Sequence, residues 1–199
     1  CLFYKVYIYG YNKGMDTHFY FIRHGDAYPG TEDNIQHPET PLNKRGIEQA
    51  KKLRRRLKKI KPDVILVSPY QRALDTMQIV TKGKKVKAEI LVDLIEIGAD
   101  YWPNPDQRSR RDEKEAPSYK EDSEEVKKTF EKIWKTYYGK TVLVFTHGNL
   151  IRCLVSCIMN AGWEGFSKLI INLTSLTIID EDEKGNPIIA TVSDFAHLE

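Results

Sequence analysis

The chain has 199 residues, 41% of them hydrophobic, and a formal net charge of +3. It contains no run of 18 apolar residues, which excludes a typical transmembrane helix, and its length and composition fit a soluble protein of one domain. The charges are uneven: residues 44–61 carry ten lysines or arginines and one acid, whereas residues 112–125 carry seven acids.

The first fourteen residues are rich in tyrosine and are followed directly by Met15. They lack the long apolar core and small-residue cleavage site of a signal peptide. We interpret residues 1–14 as an N-terminal extension and residues 15–199 as a single domain. The alternative is an extra edge strand over residues 2–9, because this stretch is rich in β-forming residues.

The sequence predicts a first β-strand over residues 17–23, buried on both faces, because residues 19–22 form a continuous apolar run. Arg23, His24 and Gly25 stand at its end. In open α/β sheets, ligands bind at the carboxyl ends of the strands. Gly25 has no Cβ, and we expect it to let a ligand approach the backbone closely.

A long loop follows, and then a predicted helix with Asn43 as its N-cap. Apolar residues recur at helical spacing and predict its buried face: Ile47, Ala50, Leu53, Leu57 and Ile60. The basic residues between them form the opposite face. We interpret that face as solvated rather than as an RNA-binding surface, because no aromatic side chains are interleaved for base stacking.

A second buried strand is predicted over residues 63–67, and Ser68-Pro69 ends it. We expect Pro69 in the first turn of a helix that runs to about residue 81, which Gly83 caps. Arg72 then lies in that first turn, so this strand end also delivers a cation to the same edge. A short third strand is predicted over residues 89–92.

The second half of the chain continues the alternation of strands and helices. Residues 93–121 predict no regular structure, and we interpret about 97–120 as an inserted loop region. Ser123 is the predicted cap of the next helix, which runs to about residue 138. The remaining predicted elements are a strand over 141–145, a helix over 149–160 and strands over 169–173, 176–179 and 187–192, the last two joined by a hairpin at Gly185-Asn186.

This alternation predicts an α/β fold: a three-layer α/β/α sandwich with a mainly parallel mixed sheet and one antiparallel edge. Cys153 and Cys157 lie four residues apart on one predicted helix face and are poorly placed for a disulfide. We therefore expect them to be reduced, in a cytoplasmic protein.

Two arginines and two histidines converge on one edge of the predicted sheet: Arg23, His24, Arg72 and His147. Such a cationic pocket offers planar donors suited to phosphate oxygens. The amides of Gly148 and Asn149 begin a helix and can add to the anion site. No group of residues with metal-ligand spacing accompanies them, so we expect phosphate to be bound with no metal and no cofactor.

These motifs resemble the histidine phosphatase superfamily, also called phosphoglycerate mutase-like, in the right order over residues 17–198. The matching segments are residues 23–25, 40–42 with Gly46, 68–73, Glu96, 146–152 and the tail 193–198. The resemblance implies the family's fold and places the chain in its phosphatase branch.

The resemblance also implies roles. His24 would be the nucleophile and would become a phosphohistidine, while Arg23, Arg72 and His147 would hold the phosphoryl oxygens. Glu96 would protonate the leaving oxygen and then activate water, which requires burial or a neighbouring acid to raise its pKa. The alternatives for this acid are two other carboxylates, Asp26 and Glu113.

The implied activity is that of an acid-type phosphomonoesterase. A phosphoglycerate mutase activity is less favoured, because the mutases of the family carry an additional insertion. The third alternative is a module that binds phosphate without turnover. Ala27 stands where many members have asparagine, which resembles the protein-phosphohistidine phosphatase branch. The surroundings of Glu96 and the stretch from Tyr119 to Arg152 look closer to a branch that acts on phosphoserine and phosphothreonine in proteins.

The choice between a phosphorylated small molecule and a phosphoprotein as substrate therefore stays open. We expect the loops 26–39 and 97–118, which flank the mouth of the pocket, to decide it. Inorganic phosphate would be the product. Neither nucleic acid nor a membrane is expected as a partner, and a homodimer is left open.

Overall fold

A computed structural model describes residues 17–28, 36–98 and 118–199. Its six strands are His18–Arg23 (β1), Val64–Val67 (β2), Ala88–Ile90 (β3), Thr141–Thr146 (β4), Leu176–Glu181 (β5) and Pro187–Asp194 (β6). The helices longer than one turn are Lys44–Arg56 (α1), Gln71–Thr81 (α2), Tyr119–Thr136 (α3), Gly148–Ile158 (α4) and Gly162–Lys168 (α5).

The strands form one mixed sheet in the order β3-β2-β4-β1-β5-β6. The first four are parallel, whereas β5 is antiparallel to both β1 and β6. The predicted sheet, mainly parallel with an antiparallel side, is confirmed. Because β2, β4 and β1 are adjacent and parallel, their carboxyl ends meet at one place on the sheet edge.

Helices cover both faces of the sheet and bury two apolar clusters. One cluster joins α3 and α4 to residues of β1 and β4, including Phe19, Phe130 and Leu154. The other joins α1 and α2 to the opposite faces of β1, β2 and β4. The sheet is therefore the middle of three layers, and its central strands are apolar on both sides, as the continuous apolar runs predicted.

Helix α1 begins where the sequence predicted. Asn43 accepts a hydrogen bond from the backbone N–H of Gly46 at 2.9 Å, which is the expected capping contact. Ala50, Leu53 and Leu57 are buried. The first turn presses on the loop after β1, because a Cβ built on Gly46 would lie 1.9 Å from the carbonyl oxygen of Asp26.

The same packing corrects the expectation for Gly25. A Cβ on Gly25 would lie 2.9 Å from the carbonyl oxygen of Gly46. The space beside Gly25 is therefore filled by the start of α1 and is not open to a ligand. Glycine is required at residue 25 for the contact between two backbones.

Two helix starts differ from the prediction. Helix α2 begins at Gln71 after the N-cap Tyr70, so Pro69 precedes the helix instead of lying in its first turn. Helix α3 begins at Tyr119, and Ser123 lies inside it with its hydroxyl donating to the carbonyl of Lys120. A serine in a helix can satisfy its hydroxyl in this way, so its presence alone does not mark an N-terminus.

The strand predicted over residues 169–173 is wrong; this segment is irregular and follows the short helix α5. Its backbone groups are bound by side chains in place of a neighbouring strand. The carbonyl of Ile171 accepts from the Arg23 guanidinium, and the N–H of Asn172 donates to the Ser193 hydroxyl at 2.8 Å. The apolar run therefore did not predict the conformation, and of its residues only Ile171 is buried.

Within the described ranges, no helix is both long and apolar enough to cross a bilayer. Residues 1–14, Met15 and Glu113 lie outside these ranges, as do residues 29–35 and most of the inserted loop region. The predictions for the N-terminal extension and for the inserted loop therefore stay predictions.

Candidate active site

Three adjacent strands deliver the predicted side chains to one pocket. Strand β1 ends at Arg23, which is followed by His24; β2 leads through Ser68 to Arg72 in the first turn of α2. Strand β4 leads to His147, the N-cap of α4. The centroids of the His24 and His147 rings lie 5.2 Å apart, so two residues distant in sequence are direct neighbours.

A hydrogen bond to the backbone of the next residue fixes the His24 ring. Its Nδ1 lies 2.7 Å from the carbonyl oxygen of Gly25, and since a carbonyl only accepts, Nδ1 carries the proton. Nε2 is then the unprotonated nitrogen, and it accepts a hydrogen bond from the Nε–H of Arg72 at 3.3 Å. The N–H of Gly25 in turn donates to the hydroxyl of Thr76 at 3.0 Å, which ties this backbone to α2.

The surroundings keep the His24 imidazole neutral. Burial is the main cause that lowers its pKa well below the ordinary value of 6.5, and the charges of Arg23 and Arg72 lower it further. The hydrogen bond to Gly25 opposes this shift but does not reverse it. A neutral imidazole retains the lone pair on Nε2 that a nucleophile needs.

His147 is completely buried and is held from two sides. Its Nε2 lies 2.8 Å from the hydroxyl oxygen of Ser68, and the ring of Tyr70 packs against it with centroids 5.0 Å apart. Its Nδ1 makes no hydrogen bond to any residue the structure describes. Burial lowers the pKa of His147 well below 6.5, and His24 and the two pocket arginines add to the effect.

The two arginines have different anchors. Arg72 donates from Nη1 to the carbonyl of His37 at 3.1 Å, and its guanidinium lies 4.9 Å from the centre of the Tyr70 ring. Arg23 donates from Nη1 to the carbonyl of Ile171. A Cβ on Gly148 would lie 3.1 Å from Nε of Arg23, so glycine there lets the guanidinium pack against the start of α4.

Glu96 caps the N-terminus of α4. Its Oε1 accepts the backbone N–H groups of Asn149 at 3.1 Å and of Leu150 at 3.3 Å. Burial raises its pKa above the ordinary value of 4.5, although Arg23, Arg72 and the backbone N–H groups of Leu150 and Ile97 pull the pKa down. The predicted direction of this shift is confirmed, with burial as its cause.

The segment that carries Glu96 is fastened to β4 and α4. The hydroxyl of Thr146 donates to the carbonyl of Leu94 at 2.7 Å, and the side-chain amide of Asn149 donates to the carbonyl of Ile97 at 3.2 Å. The backbone N–H of Asn149 and its side-chain amide thus contact Glu96 and Ile97. The phosphate contact expected from Asn149 stays a prediction. The amide of Gly148 is not among these donors.

A sequence profile of the histidine phosphatase superfamily (branch 1) matches residues 19–194. The chain belongs to this superfamily. Every residue of the pocket lies inside the matched range, from Arg23 to Asn149. The family resemblance in the motifs is confirmed.

Curated relatives of this superfamily extend the comparison. A Schizosaccharomyces pombe protein named "Probable phosphatase" is 33% identical over 144 residues, 66% of this chain and 65% of its own length. The mitochondrial serine/threonine-protein phosphatase Pgam5 of Drosophila yakuba is 28% identical over 187 residues, 89% of this chain and 63% of its own. The chain thus spans just under two thirds of the length of these two relatives.

The fold of the chain is also found in solved protein structures. Bacillus stearothermophilus YhfR matches with a TM-score of 0.77 at 23% identity, over 92% of this chain and 99% of its own. At this identity the likeness shows the fold alone. The predicted three-layer α/β class is confirmed by it and by the sheet order.

The structure brings together five of the predicted residues: Arg23, His24, Arg72, Glu96 and His147. The carboxylate of the alternative acid Asp26 lies 3.8 Å from the exposed Arg45 guanidinium, and its choice as the acid stays a prediction. Among the residues that the structure describes, no group of three His, Cys, Asp or Glu side chains could hold a metal ion.

Sequence reasoning missed three supporting residues. Ser68 and Tyr70 belong to a recognised motif, but nothing in the sequence indicated that both contact His147. Gln49 is buried in α1, and its Oε1 accepts the backbone N–H of Asp26 at 2.8 Å. A polar residue on the predicted buried face of a helix was the available signal, since buried polar groups require partners.

Proposed function

We propose that this protein is a phosphomonoester hydrolase that works through a phosphohistidine on His24, with no metal and no cofactor. The observation that carries the proposal is the unprotonated Nε2 of a buried neutral imidazole, which accepts a hydrogen bond from Arg72 and lies beside a second histidine. A nucleophile, cations for the phosphoryl oxygens and an acid of raised pKa interact with one another at this end of the sheet.

In the first step, Nε2 of His24 attacks phosphorus, and the bond from phosphorus to the leaving oxygen breaks. The proton of Glu96 passes to that oxygen, so the alcohol leaves neutral. Arg23, Arg72 and His147 donate to the equatorial oxygens, where charge accumulates in the transition state. The phosphoryl group then rests on His24.

In the second step, water attacks the phosphohistidine and the P–N bond breaks. The Glu96 carboxylate accepts a proton from that water and returns to its starting form. Inorganic phosphate leaves, and the electron pair of the broken bond restores the lone pair of Nε2. In this scheme Asn149 positions Glu96, and Gly148 is the helix-terminal amide that binds phosphate.

A phosphoprotein substrate is the second candidate, and one observation favours it. The relative that matches 89% of this chain is named a serine/threonine-protein phosphatase. A small phosphorylated molecule is the alternative substrate class. Turnover of phosphoserine, phosphothreonine and phosphohistidine peptides beside phosphorylated metabolites, each compared by kcat/KM, would separate the two.

The deciding experiment is hydrolysis of p-nitrophenyl phosphate by the purified protein and by the His24→Ala variant, with and without a chelator. We expect turnover that the chelator leaves unchanged and the substitution abolishes. Rapid quenching in alkaline sodium dodecyl sulfate after mixing with ³²P-labelled substrate should trap label on the protein. The label should be stable in alkali and lost in acid, as expected for phosphohistidine.

Three results would contradict the proposal. Phosphate binding without turnover would indicate a binding module. Faster isomerisation of 3-phosphoglycerate than loss of its phosphate would indicate a mutase. Full activity of His24→Ala would remove the proposed nucleophile.

A further inference from the structure

Two lysine-rich segments meet on the surface at the edge of the sheet opposite the active site. Residues 58–61 follow α1 and residues 82–87 follow α2, and neither segment contains an acid. Together they form what we name the lysine cluster: Lys58, Lys59, Lys61, Lys82, Lys84, Lys85 and Lys87.

Lys84 joins the two segments. Its Nζ donates to the carbonyl of Leu57 at 3.2 Å and to the carbonyl of Ile60 at 2.5 Å. These carbonyls belong to the end of the first helical segment, where a cation is favoured by the helix dipole. The other six lysines of the cluster are exposed. They therefore project from one continuous region of the surface.

Within the two segments and the residues that follow them, acids do not balance the lysines. Residues 58–63 and 82–89 hold seven lysines against two acids, Asp63 and Glu89. Asp63 accepts the backbone N–H of Thr141, and Glu89 accepts the hydroxyl of Tyr137. No lysine of the cluster ion-pairs with either of them in the structure. A compact region of surplus positive charge attracts an anionic surface.

The cluster lies far from the catalytic pocket. Arg72 stands in the first turn of α2, whereas Lys82 follows its last turn, and a helix of this length spans roughly 16 Å. Strand β2 similarly begins just after Lys61 and ends just before Ser68. Whatever binds the lysines therefore leaves the pocket at the other edge accessible.

We propose that the lysine cluster docks this domain on the surface of an anionic lipid bilayer. Four to eight clustered basic residues are typical of such binding, and each adds to the attraction. Lysine is a compact, strongly hydrated point charge that needs no fixed geometry in its partner. A nucleic-acid site would favour bidentate arginines and stacking aromatics, and the cluster contains neither.

No membrane partner was predicted from the sequence. The basic stretch in residues 44–61 was interpreted as a solvated face. Tertiary contact through Lys84 adds residues 82–87 to that stretch and concentrates the charge. The proposal concerns binding only and does not depend on the proposed hydrolase activity.

The test is co-sedimentation of the purified chain with two kinds of vesicle, phosphatidylcholine alone and phosphatidylcholine mixed with phosphatidylserine. We expect binding to the anionic vesicles only, and weaker binding as salt rises. The triple variant Lys58→Gln, Lys59→Gln, Lys61→Gln should bind about 100-fold more weakly. A second variant, Lys82→Gln, Lys85→Gln, Lys87→Gln, should lose a similar factor.

The matched control is Lys120→Gln, Lys127→Gln, Lys132→Gln, on α3 at the other face of the sheet. It removes the same net charge, and we expect it to keep most of the affinity. Thermal melting and p-nitrophenyl phosphate turnover, measured on every variant, show whether each is folded.

Each of three outcomes would overturn the proposal: folded cluster variants that bind the anionic vesicles as the parent does, a control that loses as much affinity as they do, or no preference for phosphatidylserine. Competition with single-stranded RNA and with polyglutamate tests other occupants. If either polymer displaces the protein from the vesicles at a lower concentration of negative charges than the vesicles themselves present, the cluster is a site for that polymer.

Discussion

The hydroxyl oxygen of Ser68 lies 2.8 Å from Nε2 of His147, and the same oxygen accepts the backbone N–H of Tyr70 at 3.3 Å. With the Tyr70 N–H on one of its lone pairs, the hydroxyl can direct its own hydrogen to Nε2. Nδ1 of His147 then carries the ring proton. This is the buried nitrogen that has no partner among the described residues, so it is the one available to a phosphoryl oxygen.

Replacing Ser68 with alanine should lower kcat about tenfold to 100-fold, because the His147 ring loses the contact that fixes its tautomer. Turnover of p-nitrophenyl phosphate measures the loss. Nitrogen NMR of the labelled imidazole should show protonation divided between Nδ1 and Nε2 in Ser68→Ala and confined to Nδ1 in the parent. Ser68→Thr retains the hydroxyl and serves as the conservative control. A kcat equal to that of the parent would contradict this role.

Glu96→Gln should separate proton donation from capping. Glutamine retains an oxygen that can accept the N–H groups of Asn149 and Leu150, so the free energy of unfolding should change little. It cannot supply a proton, so hydrolysis of phenyl phosphate, whose leaving group is basic, should fall far more than hydrolysis of p-nitrophenyl phosphate. Equal losses on the two substrates would mean that Glu96 is not the general acid.

The pH profile should be bell-shaped and acidic. In the proposed mechanism, the free enzyme reacts with His24 neutral and Glu96 protonated. As pH rises, kcat/KM should increase through the His24 pKa, which burial places below 6.5, and decrease through the Glu96 pKa, which burial places above 4.5. Glu96→Gln should remove the alkaline limb and leave the acid limb. An acid limb that lies above pH 6.5 would contradict the neutral His24.

Gly46→Ala should destabilise the fold by about 3 kcal/mol, since its Cβ would lie 1.9 Å from the carbonyl of Asp26 and both groups belong to packed backbone. Gly83→Ala is the comparison, because that residue has a φ of +91° and nothing within 4 Å of its Cβ. It should lose about 1 kcal/mol, from backbone conformation alone. Denaturant midpoints measure both; equal losses would mean that the loop shifts easily away from α1.

The position of the pocket could be predicted from the sequence because strand ends are local signals. Apolar runs that stop at Arg23-His24, at Ser68 and at Thr146-His147 identify three strands and what each carries. One rule of α/β sheets then places them at the same edge. The five convergent residues follow from this reasoning and from the family motifs, without knowledge of strand order.

Other features of the fold and of the site could not be predicted, because they depend on tertiary contacts that no local sequence pattern reveals. Gly25 was interpreted as access for a ligand, whereas the start of α1 fills that space. The contact between the backbone N–H of Asn149 and Glu96, which comes from a segment distant in sequence, was not predicted. The prediction of a strand over residues 169–173 was wrong, because the side chains of Arg23 and Ser193 form hydrogen bonds with backbone groups of this segment.

The strand order also bears on how the chain is made. Strand β4 lies between β2 and β1, yet its residues follow theirs by a long interval in sequence. A nascent polypeptide that stops before residue 141 therefore lacks the middle of its sheet, and β1 and β2 each present an unsatisfied edge. Such fragments should be prone to aggregate during translation, and nonlocal pairing of this kind slows folding.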